Sequence, residues 1–75
     1  MNKKRKAALN QISAELGILF NRLEYIYDQE QEAYDSMPEN LQSSEKGIES
    51  EEAIDTIDEI KDHIQDAIDQ LNEIV

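Results

Sequence analysis

The sequence predicts an all-α protein, an antiparallel two-helix hairpin, from three observations. Two long segments carry apolar residues at steps of three and four, the period of a helical seam. The one proline, Pro38, and one of the two glycines, Gly47, both fall in the stretch between them, EQEAYDSMPENLQSSEKG from Glu30 to Gly47. The chain has 75 residues and no cysteine, so residues 1–75 form one domain without a disulfide framework. At that length one core gives roughly 3 to 5 kcal/mol of net stability. Regular helix packing and oligomerisation are the supports left to it.

The first helix is predicted over about residues 4–35, with its seam at Leu9, Ile12, Leu16, Leu19, Leu23, Ile26 and Ala33. Glu30 is the one acid on a seam position. Its carboxylate is expected to turn to solvent, or if buried to find a partner such as a tyrosine hydroxyl, because an unpaired buried charge is costly. Phe20, Tyr27 and Tyr34 recur every seven residues one position beyond the seam. Ile18 and Tyr25 form a second apolar pair on the other side. Gly17 costs about 1 kcal/mol against alanine but does not end so regular a pattern.

In the connection, Ser36, Met37, Pro38 and Glu39 read as a Ser-x-x-Glu capping box, with Ser36 accepting from the Glu39 amide. A helical turn through about Gln42 follows, and Met37 and Leu41, four apart, would cover the end of the core. The second helix is predicted over about residues 44–74, starting near Ser44 with Gly47 in its first turn. Its seam is Ala53, Ile57, Ile60, Ile64, Ala67, Leu71 and Ile74, flanked by Ile54, Ile68 and Val75.

A short connection between long amphipathic helices gives an antiparallel pair. Setting Ala33 across from Ala53 brings Ile26 to Ile60, Leu23 to Ile64, Leu19 to Ala67 and Leu16 to Leu71. The flanks then meet as Tyr34 with Ile54, Tyr27 with Lys61 and Phe20 with Ile68. We expect this flank, Phe20, Tyr27, Tyr34, Ile54 and Ile68, to be a homodimer interface that makes a four-helix bundle. The alternative reading is that it widens the intramolecular core.

Charge bounds the function. The formal net charge is −11, and from Glu24 to Val75 two lysines stand against 17 acids. Such a field repels nucleic acid and anionic lipid and attracts basic surfaces. Lys3, Lys4, Arg5 and Lys6 would lie beside Asp66, Asp69, Glu73 and the terminal carboxylate of the second helix, so that cluster reads as internal neutralisation and not as a nucleic-acid arm. No apolar run reaches membrane-span length. The expected address is the cytoplasm of a bacterial host cell.

No arrangement of side chains points to catalysis. His63 has neither a second imidazole nor a nucleophile beside it, and the Glu-x-x-His repeat of di-metal bundles is absent. Asp28, Glu30, Glu32 and Asp35 lack the central glycine of a calcium loop. A non-enzyme without cofactor or metal is expected. Its carriers would be an acidic face of Asp35, Glu39, Asp55, Asp58, Glu59, Asp62 and Asp66, docking on the basic surface of a protein partner. The run DQEQEAYDSMPENLQSSEKG, followed by EEAID, resembles small acidic helical proteins of bacteriophages and mobile elements. That resemblance implies a mobile-element setting and carries no catalytic residue. The function so expected is an interaction module that inhibits a basic or nucleic-acid-binding host protein by charge mimicry. The alternative is a small assembly subunit working through its apolar and tyrosine faces.

Overall fold

The computed structural model describes all 75 residues, Met1–Val75. Helix α1 runs Lys3–Asp35, α2 is a single turn at Glu39–Gln42, and α3 runs Glu45–Ile74. The two long helices pack antiparallel into a rod of 58 × 14 × 13 Å. Its radius of gyration is 17.1 Å, against about 11 Å for a compact domain of this length.

Local chemistry sets each boundary. Asn2 caps α1, its side-chain oxygen accepting from the Arg5 amide at 2.8 Å. Ser44 caps α3, its hydroxyl accepting from the Gly47 amide and donating to the Leu41 carbonyl. The expected capping box at Ser36 does not form. Ser36 keeps helical dihedrals (φ −84°, ψ −9°) and ends α1, its amide donating back to the Glu32 carbonyl. Pro38, with ψ 148°, stands at the N-cap of α2 instead. Proline disfavours the helical region for the residue before it, so the break falls at Met37 and α2 starts afresh on the far side. The Pro38 carbonyl then accepts from the Leu41 and Gln42 amides.

Gly47 is where α2 meets α3. A Cβ there would collide with the backbone carbonyls of Leu41 and Gln42, so the close approach of the turn to the helix requires glycine. The Gln42 side chain, through Nε2, donates to the Tyr34 carbonyl at 3.0 Å, satisfying one of the open acceptors at the end of α1. Met37 is half-buried and helps close this end of the rod, whereas Leu41 is exposed.

The seam is rotated by one residue on both helices from the one expected. Along α1 the side chains turned toward α3 are Leu9, Ser13, Leu16, Phe20, Leu23, Tyr27, Glu30 and Tyr34. Along α3 they are Gly47, Ser50, Ile54, Ile57, Lys61, Ile64, Ile68 and Leu71. Both sets step by three and four without interruption. Ile12, Leu19, Ile26 and Ala33 on α1, and Ala53, Ile60 and Ile74 on α3, are left exposed. The reason is area. The expected stripe offers isoleucines, a leucine and three alanines, whereas the observed one offers three aromatic rings with Ile54 and Ile68, beside Ser13, Gly47 and the stem of Lys61. Aromatic side chains bury about 150–250 Å² each. The antiparallel direction agrees with the expectation, and so does the pairing of Tyr27 with Lys61, whose ammonium lies 4.7 Å from the ring centroid.

Candidate functional site

The rod has three lengthwise faces of different chemistry, and each follows from the rotated seam. The first contains the aromatic residues. Lys61 occupies a seam position, and its ammonium lies over two rings, 4.7 Å from the Tyr27 centroid and 5.4 Å from that of Phe20. Its methylene stem covers apolar surface while the charge meets the negative faces of the rings. Tyr34 donates its hydroxyl to Glu51 at 3.3 Å. Partial burial, the Glu51 carboxylate and Asp35 all hold the Tyr34 phenol above its ordinary pKa, in that order of size. Ile54, 5 % exposed, is the one large apolar side chain that is buried. Phe20, Tyr27, Tyr34, Ile54 and Ile68 were expected between two copies, and the structure places them between the two helices of one chain. Their position there is the one the wider-core alternative describes.

The second face is acidic. Asp55, Asp58, Glu59, Asp62 and Asp66 are all exposed, at helical spacings that set them on the outward part of α3. Asp35, at the end of α1, and Glu39, the first residue of α2, are exposed as well, so the acidic surface continues around the connection. Beyond Gly47 the only lysine or arginine in α3 is Lys61. Its ammonium is committed to the aromatic face.

The third face is apolar and open. One groove along it is lined by Leu19, Arg22, Leu23, Ile26 and Ile64, bringing α1 and α3 together at its floor. Another, nearer the connection, is lined in part by Glu30, Met37, Ser50 and Ala53. In an antiparallel pair, residues just before the aromatic-side seam positions of each helix project from the same edge. Ile12, Leu19 and Ile26 therefore align with Ile60 and Ile74. Ile18 and Tyr25 extend this surface around the back of α1, where with Asn21, Arg22 and Ile26 they line a shallow depression.

Besides Lys61, three polar groups lie at the seam. The Ser50 hydroxyl, on a residue 6 % exposed, donates to Glu30 Oε1 at 2.6 Å. Ser13 donates to Asn72 Oδ1 at 3.4 Å near the other end. Glu30 therefore neither points freely to solvent nor pairs with a tyrosine; its partner is a serine one helix away. That serine was legible only as an interruption, since Ser50 and Ser13 both stand where a seam would be apolar. His63 is exposed on α3. No group of three or more His, Cys, Asp or Glu side chains converges as a metal site would require, and no helix is long and apolar enough to cross a membrane. No protein-family model, curated protein or solved structure matches the chain.

Proposed function

We propose that the protein is a non-enzymatic interaction module whose acidic face docks on a basic surface of another protein, in the setting of a bacteriophage or mobile element and in the cytoplasm of its host. The observation that carries this reading is the disposition of charge on α3. Its exposed acids Asp55, Asp58, Glu59, Asp62 and Asp66 occupy neighbouring positions, and the one cation in that stretch, Lys61, is held against Phe20 and Tyr27. A rigid helix bearing carboxylates at regular intervals presents a line of negative charge, as a nucleic-acid backbone does. A protein built to grip phosphates is the class of target it fits, and occupying that grip would inhibit it. The hairpin, in this reading, is half of a four-helix bundle.

The test is binding to a basic probe, a lysine-rich histone tail peptide, across a salt series. Affinity is expected to fall steeply between low and physiological ionic strength. The variant carrying Asp58→Asn, Glu59→Gln, Asp62→Asn and Asp66→Asn should bind at least 10-fold more weakly. Binding indifferent to both salt and these substitutions would sink the proposal. The second reading, a small assembly subunit acting through its apolar and tyrosine faces, draws on the open apolar face, which the exposed Tyr25 extends.

A further inference from the structure

We infer that the open apolar face is covered by a second copy of this chain, through a stripe of Ile12, Leu19, Ile26, Ile60 and Ile74 that spans 14 residues of each long helix, about 21 Å of the rod. The inference rests on the reading of the hairpin as half of a four-helix bundle and identifies the surface that makes it one. Each of these side chains leaves between 39 and 49 % of its surface in water. They alternate along α3 with the small Ala53 and Ala67, which leave room between the isoleucines for side chains from another helix.

Area argues for a cover. The chain exposes 5741 Å², about 1,000 Å² more than the roughly 4,700 Å² a compact protein of 8.7 kDa exposes.

Charge argues for a second copy as the cover. A two-fold interface sets the same patch against itself, so it must be self-complementary. Two chains of net charge −11 repel wherever their acids meet. The helical wheel places Asp55, Asp58 and Asp62 of α3 opposite the stripe and Glu59 and Asp66 about 100° from it, and the α3 positions bordering it hold Glu49, Thr56, His63 and Gln70. Along α1 the bordering positions hold Glu15, Arg22 and Gln29, so two copies approach through the stripe with less repulsion than through the outward acids of α3. Their acidic faces then point outward, so the dimer offers two of them.

Sedimentation equilibrium at micromolar concentration tests this. The wild-type chain is expected at twice its 8.7 kDa mass, with a melting temperature that rises with protein concentration. Leu19→Glu with Ile26→Glu should weaken the dimer at least 100-fold. The milder pair Ile26→Ala and Ile60→Ala, which keeps helix-forming residues at exposed positions, should weaken it about 10-fold if the glutamate variant does not fold. Asp58→Asn with Asp62→Asn should leave it no weaker. A folded wild-type monomer, with melting independent of concentration, overturns both the inference and the bundle reading. A dimer untouched by the alanine pair overturns the assigned face and leaves the bundle reading standing.

Discussion

At the residue scale, the Glu30–Ser50 hydrogen bond ties the two helices together at a seam position where most residues are apolar. Its donor is almost wholly buried and its acceptor half-buried. Removing one partner leaves the other desolvated and unpaired, which costs about 1–3 kcal/mol, whereas replacing both by apolar groups is close to neutral. Glu30→Ala is therefore expected to lower stability by about 1–3 kcal/mol and Glu30→Gln by less, since the amide oxygen still accepts. The double variant Glu30→Leu with Ser50→Ala should recover most of the loss. Urea unfolding of the wild type, Glu30→Leu, Ser50→Ala and the double variant completes the double-mutant cycle, and additive losses would show that the bond does not couple the helices. Sequence alone marked Glu30 as anomalous and left its partner open. The answer depended on the seam passing through Ser50, a fact of packing.

At the element scale, the two glycines are opposites. Gly17 lies inside α1 with nothing near the place its Cβ would take. Gly17→Ala should then raise stability by about 1 kcal/mol from helix propensity alone. At Gly47 the same gain is overridden, because the new methyl group meets the Leu41 and Gln42 carbonyls and must push α2 off α3. A net loss of about 1–3 kcal/mol is expected there. Thermal or urea unfolding of both variants decides the matter, and a stabilised Gly47→Ala would mean that α2 does not rest on α3. The extents of the elements were legible in the chain. α1 begins at Lys3 where about residue 4 was expected, and α3 begins at Glu45 behind the Ser44 cap. Periodicity over 30 residues outweighs any single residue. The Ser36 box was misread because a capping pattern is local, whereas Pro38 dictates the conformation of the residue before it.

At the scale of the whole molecule, charge and shape work against stability as a lone chain. Acids of α3 stand four apart at Asp55 and Glu59, Asp58 and Asp62, and Asp62 and Asp66, and like charges at such spacings destabilise a helix by about 0.2–0.5 kcal/mol per pair. Raising sodium chloride from about 0.01 to 0.15 M shortens the screening length from about 30 to about 8 Å. The melting temperature at neutral pH should rise by several degrees, on the order of 5 °C. A melting temperature that stays level or falls would show that ion pairs elsewhere outweigh this repulsion. The sidedness of the acids also bears on the candidate site. Their exposure on α3 was predictable from spacing, but the separation of the acidic face from the open apolar one needed the true seam.

The sequence by itself determined two long helices, an antiparallel arrangement and a strongly acidic second helix, because those follow from periodicity, a short connection and composition. It did not determine which of two adjacent stripes faces inward. Leu9, Leu16, Leu23, Ile57, Ile64 and Leu71 belong to both seams, and a rotation of one residue keeps all of them near the contact. Only packing decided between the neighbours, bringing in the larger aromatic rings with Lys61 laid across them, and leaving the smaller aliphatic stripe outside.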